Sequence, residues 1–149
     1  MACGVLMDAQ GRVLIAQRPA GKIAAGKWEF PGGKIEAGES ARDALARELR
    51  EELAIDVQRA RPLIRLQHDY TDRSVLLDTW LIEAWDGVPR GVETQQLAWC
   101  APAQLHRYDL LAADGPIIHA LRLPTHYVFT PPQVSEHELR EGLMRLPVG

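Results

Sequence analysis

Three glutamates stand together in Arg47-Glu48-Leu49-Arg50-Glu51-Glu52, at positions i, i+3 and i+4. On a helix this spacing sets Glu48, Glu51 and Glu52 on one face. Like charges so placed repel, so solvent, an arginine or a cation must compensate. A solvated helix face is the plain alternative. Hard carboxylate oxygens suit Mg²⁺ or Mn²⁺, which keep several waters and bridge to substrate phosphates. Such an ion neutralises phosphate charge and positions a water for in-line attack. A carboxylate on the same face is a candidate general base for that water.

The element that must carry these residues is the clearest helix of the chain. Ser40 with Asp43 three residues on matches a capping box. Leu45, Leu49 and Leu53 recur every fourth residue and make one apolar stripe. The helix is predicted over Ser40 to Leu53. Ahead of it, Cys3 to Met7 and Val13 to Gln17 flank the turn residues Asp8-Ala9-Gln10-Gly11 and predict a hairpin. Arg18 to Lys27 has no apolar period and is expected to be a loop. Trp28-Glu29-Phe30 is a short extended piece, expected to stop at Pro31-Gly32-Gly33.

After the helix, Val57 to Gln67 has strand character and is expected to break at Pro62. Ser74 to Trp85 is a second strand, with Tyr70-Thr71-Asp72-Arg73 as the turn between them. Asp86 to Gly91 is another turn, and Leu97 to Ala101 a last short strand. Pro116 to Leu123 has helical spacing, with Asp114 as N-cap. A mixed sheet with at least two helices packed on it follows. Tyr127-Val128-Phe129 predicts a further strand, and Glu136 to Leu146 a short amphipathic helix.

Composition bounds the function. The chain has 149 residues, 46% hydrophobic and 25% charged, an ordinary balance for one folded domain. The net charge of −3 argues against non-specific nucleic-acid binding as the main task. Cys3 and Cys100 form neither a CxxC pair nor a zinc spacing, and two free thiols in a reducing cytosol are expected. The N-terminus lacks the basic start and apolar core of a signal peptide. No stretch approaches the ~20 apolar residues of a membrane helix. The expectation is a cytoplasmic protein without membrane contact.

The spacing around the glutamates is more specific than their face. From Gly33, five residues precede Glu39 and seven more precede Arg47. Then come Glu48, aliphatic Leu49, Glu51, Glu52, Ala54 and aliphatic Ile55. This resembles the Nudix box, GX5EX7REUXEEXGU, at every position except the late glycine, which is Ala54 here. Chance agreement at the six fixed charged and glycine positions is on the order of one in a million. Ala54 in that place implies a helix end without a left-handed glycine. The resemblance implies an α/β/α sandwich around a central mixed β-sheet. It implies that Glu48, Glu51 and Glu52 bind divalent metal, with the Gly32 carbonyl as a further ligand. Arg47 would orient the glutamates with Glu39 as its partner, and Glu52 or Glu48 would deprotonate the attacking water.

Within the family, Trp28-Glu29-Phe30-Pro31-Gly32-Gly33-Lys34-Ile35-Glu36 is similar to the LEFPGGKIE segment of bacterial MutT proteins, the 8-oxo-dGTP pyrophosphatases. Ala16-Gln17-Arg18 is similar to the strand end whose arginine contacts phosphate. Asp72-Arg73 fits a turn whose arginine lies over the nucleotide. Ala113-Asp114-Gly115-Pro116-Ile117-Ile118 resembles the ANEPVI segment, whose asparagine reads the oxidised base. The resemblance implies Arg18, Phe30, Lys34, Arg73 and Asp114 as substrate-binding residues, although each could instead be an ordinary surface or core residue. It departs from the group at three points. Asp114 replaces the asparagine, and an ionised aspartate only accepts hydrogen bonds. Ala98 replaces a loop carboxylate, for which upstream Glu93 is a candidate substitute. Ile23 stands where the early loop has a histidine.

These matches run from the start to about Leu123, giving a hydrolase domain over 1–123 and a C-terminal extension over 124–149. The run Leu123 to Pro131 resembles the start of a thiamine-phosphate-synthase-like barrel fused to such domains. The expected function is Mg²⁺- or Mn²⁺-dependent hydrolysis of 8-oxo-dGTP to 8-oxo-dGMP and pyrophosphate, which sanitises the nucleotide pool that feeds DNA. The expected partner is a small nucleotide, not nucleic acid, and the expected state a monomer or weak dimer. A hydrolase of another nucleotide, and a regulatory nucleotide-binding domain without turnover, are the alternatives. The second has no need of three intact glutamates.

Overall fold

In a computed structural model, residues 1–124 and 134–145 are described. The strand β1 (Ala2–Leu6) is buried along its whole length. Its alternate residues serve two cores, as a strand covered on both faces must. Ala2 and Leu6 pack with Leu45, Leu49 and Leu53 of the helix α1 (Ala41–Leu53). Cys3 and Val5 pack on the other side with Val13, Ile15, Phe30, Leu105 and Ile117. Helices therefore lie on both sides of the strands, the expected sandwich.

Among the described residues, seven strands form two sheets. In the mixed four-stranded sheet the order is β4-β1-β6-β5, where β4 is Gly32–Gly33, β5 Asp56–Asp69 and β6 Ser74–Asp86. The antiparallel three-stranded sheet has the order β3-β2-β7, where β2 is Val13–Gln17, β3 Trp28–Glu29 and β7 Leu97–Cys100. After β7 come short 3₁₀ turns at Pro102–Arg107 and Ala112–Asp114, then the helix α2 (Gly115–Ala120).

Four expectations change here. The strands β1 and β2 are not a paired hairpin. They share only the bridge between Met7 and Val13 and then part into different sheets. Gly32–Gly33 is not a stop but a strand antiparallel to β1, with Gly33 opposite Ala2. Pro62 does not break β5. It lies opposite Trp80 on an edge strand, and the register shifts between Pro62 and Ile64, the places where a sheet tolerates a missing N–H. The helix expected to reach Leu123 ends at Ala120; Asp114 is its N-cap as expected, without a side-chain cap bond.

Both ends of α1 follow local rules. Ser40 Oγ accepts from the Asp43 amide at 3.1 Å and donates to the Asp43 carboxylate at 2.6 Å. At the C-terminus Ala54 is itself left-handed, with φ 54° and ψ 43°. The turn that the family builds with glycine is kept, and alanine carries its strain.

The C-terminal helix α3 (Glu136–Met144) starts with a complete capping box of Ser135 and Glu138 and buries none of its residues. It ends two residues short of the expected Leu146, which lies outside the described residues, as does the strand expected at 127–129. No helix among the described residues is long and apolar enough to cross a membrane.

Candidate active site

The helix α1 runs beside the glycine strand β4, and the carboxylates sit in that seam. Gly32 N–H donates to Glu52 Oε2 at 3.1 Å. A Cβ on Gly33 would lie 2.2 Å from the Glu48 carboxylate. Gly33 therefore lets Glu48 lie against the backbone, an approach that a residue with a Cβ would block, and Gly32 offers Glu52 its amide. Glu48 and Glu52 are half-buried, whereas Glu51 is exposed at the margin.

Arg47 is the clamp of this face. Its Nε and Nη2 donate to the two oxygens of Glu39, each at 3.0 Å, the bidentate fork that suits a carboxylate. Its Nη1 reaches Glu48 at 3.0 Å and Glu51 at 3.4 Å, and its Nη2 also reaches the Lys34 carbonyl at 2.9 Å. Glu39 is pinned in turn by the Glu36 amide at 3.1 Å. The expected pairing of Arg47 with Glu39 is present, and both act on the glutamates from behind. Lys34 contributes its carbonyl here, and its side chain is exposed outside the large cavity.

Glu52 differs from Glu48. Burial raises its carboxyl to about 7, the Gly32 amide and Lys22 pull it down, and the carboxylates of Glu29 and Glu48 push it up. Such a site is short of positive charge. Among the described residues no three acid, histidine or cysteine side chains already converge on one point. Glu48 and Glu52 nevertheless face the glycine backbone as hard oxygen donors. That donor set fits a divalent cation of the magnesium type, with exposed Glu51 one turn away from Glu48 on the same helix.

Beside the carboxylates opens a cavity of about 460 Å³. Arg18, Phe30, Arg73 and Asp114 all line it, with Cys3, Glu29 and Tyr70. Phe30 is 4% exposed and belongs to the core as well as to the wall. Arg18 donates to Glu29 across β2 and β3 and holds its loop by a bond to the Ile23 carbonyl at 2.6 Å. Arg73, at the tip of the β5–β6 hairpin, lies 5.1 Å over the Tyr70 ring and pairs with Asp72 at 3.2 Å.

Asp114 is the buried acid of the cavity, 4% exposed, and its Oδ2 has no hydrogen-bond partner. Burial pushes its carboxyl up to about 8, helped by the charge of Glu29 and opposed by the Phe30 amide and Arg18. At neutral pH it is mostly a neutral acid. It then offers one O–H donor and one acceptor, as an asparagine amide does with N–H and carbonyl.

The NUDIX domain family model matches residues 2–120. The chain belongs to the Nudix family. Among Nudix relatives, the CTP pyrophosphohydrolase of Escherichia coli K12 is 40% identical over 115 residues, which cover 77% of this chain and 85% of that protein. The 8-oxo-dGTP diphosphatase of the same organism is 37% identical over 122 residues, 82% of this chain and 95% of that protein. The solution structure of the E. coli ORF135 protein superposes with a TM-score of 0.70 at 39% identity, over 79% of this chain and 84% of that one. The Nudix fold inferred from the motif is thus the fold observed.

Three residues at this Nudix site were not singled out by motif. Glu29 stands between Arg18 and Asp114, and its charge acts on Asp114 and Glu52. Lys22 pairs with Glu93. Gln95 is buried, and its Nε2 donates to the Glu52 carbonyl at 2.9 Å. Glu29 lies inside the Trp28–Glu36 run, the one signal that could have marked it.

Proposed function

We propose that this protein is a divalent-metal-dependent nucleoside triphosphate pyrophosphohydrolase that converts 8-oxo-dGTP to 8-oxo-dGMP and pyrophosphate. One observation carries the reading. The carboxylate seam of Glu48 and Glu52 stands beside a cavity whose buried acid, Asp114, has an unpartnered oxygen. Glu48, Glu51, Glu52 and the Gly32 carbonyl would hold the metal, which supplies phosphate neutralisation and a more acidic water. Arg47 and Glu39 fix the orientation of Glu48. Glu52 takes the proton of the water that attacks phosphorus, and the bond between the α- and β-phosphates breaks. Arg18 and Arg73 face the nucleotide from the cavity wall, and Phe30 lies against the base.

The neutral Asp114 accepts from N7–H of 8-oxo-guanine and donates to its O6. Plain guanine offers two acceptors on that edge, which one acid cannot satisfy. A buried group left unpaired makes such an analogue costly to bind. The same donor and acceptor also match cytosine, whose N4–H₂ donates and whose N3 accepts. That match, with the similarity to the E. coli CTP pyrophosphohydrolase, favours a cytosine nucleotide as the second reading. In this reading residues 1–123 are the hydrolase domain, and the cytoplasm, with its nucleotide pool, is the place of activity.

Pyrophosphate release from a panel of 8-oxo-dGTP, dGTP, CTP and dCTP, with and without Mg²⁺, tests the proposal. Mg²⁺-dependent release with kcat/KM highest for 8-oxo-dGTP is expected. Highest values for the cytosine nucleotides select the second reading. No release from any of them overturns both.

A further inference from the structure

Two loops meet over the carboxylate seam. The first, residues 18–27, leaves β2 and closes on itself through Arg18 N–H to the Lys27 carbonyl at 2.9 Å and Gly26 N–H to the Arg18 carbonyl at 3.0 Å. The second, residues 87–96, is pinned to the end of α1. Val92 N–H and the Gln95 side chain both donate to the Glu52 carbonyl, at 3.0 and 2.9 Å. Lys22 of the first loop and Glu93 of the second form an ion pair. They share a narrow cleft with Glu29, Glu52 and Gln95.

Each loop is strained next to the pair. Ala24 has φ 58° and Thr94 φ 64°. For β-branched Thr94 this is a costly conformation, of the kind that persists where the surrounding contacts dictate it. Arg18 and Arg47 are engaged with partly buried acids, Arg18 with Glu29 and Arg47 with Glu39 and Glu48, and Arg73 lies outside the cleft that Lys22 shares with Glu29 and Glu52. Lys22 and Glu93 are 43% and 46% exposed, so their attraction is screened and weak. A polyphosphate entering a seam lined by Glu29, Glu48, Glu52 and Glu93 needs a cation that costs little to release. Lys22 is that cation, and its charge already acts on both Glu29 and Glu52.

We infer that the Lys22–Glu93 pair is an exchangeable clasp for polyphosphate, in which Lys22 leaves Glu93 for the phosphate chain of the ligand. Before exchange the pair holds the two loops in place, and Glu93 acts as a positioning residue. The inference rests on the proposed reading of the site as a triphosphate hydrolase and adds a binding residue to it.

The test uses the full chain and binding of inorganic tripolyphosphate by calorimetry, beside steady-state kinetics on 8-oxo-dGTP and CTP. Lys22→Ala should weaken tripolyphosphate binding about tenfold, the order of one charge-assisted hydrogen bond. It should raise KM while leaving kcat within about twofold, and Lys22→Arg should restore most of both. Glu93→Gln removes the competitor and should tighten tripolyphosphate binding by a few-fold. A plain structural tie predicts instead that Lys22→Ala and Glu93→Gln weaken binding alike. That outcome, unchanged binding in both variants, or no tripolyphosphate binding by the wild type overturns the clasp. If binding follows the expected signs and no nucleotide is hydrolysed, the clasp stands and the hydrolase reading falls. If hydrolysis is robust and Lys22→Ala leaves KM unchanged, the clasp falls alone.

Discussion

Around Glu48 the charged groups are tied together by hydrogen bonds, and most of them come from one helix and the turn before it. Around Asp114 the surroundings are mostly apolar, with Glu29 and Arg18 as the charged neighbours, and the wall is assembled from β1, β3, the β5–β6 tip and the turn before α2. The first region is held by compensation of charge, the second by exclusion of water. Charge compensation orients Glu48 as an oxygen donor for a cation. Water exclusion does the reverse, keeping an acid protonated so that it can donate. One protein thus sets carboxyl groups to opposite tasks by changing what surrounds them.

The sharpest break of that contrast is Glu52→Gln. It keeps shape and removes the acceptor of the water proton, so kcat should fall by at least ~100-fold, the lower range for a lost general base. Near-wild-type turnover would take Glu52 out of the catalytic set. Next is Arg47→Lys, which keeps charge and loses the fork to Glu39. Mg²⁺ affinity, read by titration of activity, should weaken roughly 10- to 100-fold, as for other residues that orient metal ligands. A wild-type Mg²⁺ curve would show that the clamp is dispensable.

The water-excluding region is tested through Asp114. Its folded pKa of about 8 lies above the ordinary 3.8. The folded state therefore keeps a proton that the unfolded chain releases, and stability falls as pH rises through that window. The groups that act electrostatically with Asp114 are Glu29, Arg18 and the Cys3 thiol, itself pushed up by burial. KM for 8-oxo-dGTP should rise about tenfold from pH 6 to pH 9 as the O–H donor to O6 is lost. Asp114→Asn should flatten that profile and raise Tm at pH 8 more than at pH 5. A pH-independent KM in the wild type would mean that Asp114 stays in one protonation state.

The smallest effect belongs to neither region. Ala54→Gly relieves left-handed strain of about 1–2 kcal/mol. It gives back roughly 0.5–1 kcal/mol in chain entropy. A Tm rise of a few degrees with unchanged kcat is expected in a thermal melt. A fall in Tm would show that the alanine is better packed than its backbone is strained.

The same contrast explains what could be read from the chain in advance. The helix α1, its cap at Ser40 and its leucine stripe depend on neighbours within four residues, and Arg47, Glu48 and Glu52 lie inside that local frame. Glu39 and Arg47 were pairable because one motif spans both. The environment of Asp114 depends on Glu29 and Phe30, far away in sequence, so its neutral state had no local signal. The strand β4 was missed because two glycines carry no side chains, hence no alternation to read. The parting of β1 and β2 was missed because both are buried throughout, which leaves an apolar run compatible with pairing to each other or to other strands.

Gly32 and Gly33 are adjacent yet closed to substitution on separate grounds. At Gly32 a Cβ would lie 2.3 Å from the Ala2 carbonyl oxygen, with φ 141° besides, so a side chain there opposes the sheet itself. At Gly33 the obstacle is the carboxylate of Glu48, a side chain that can swing away. Mutational tolerance should therefore divide between two neighbouring codons. Replacements at position 32 are lost for want of folded protein. Those at position 33 yield folded protein with a displaced acid, a pool of inactive chains from which compensating changes near Glu48 could be recovered.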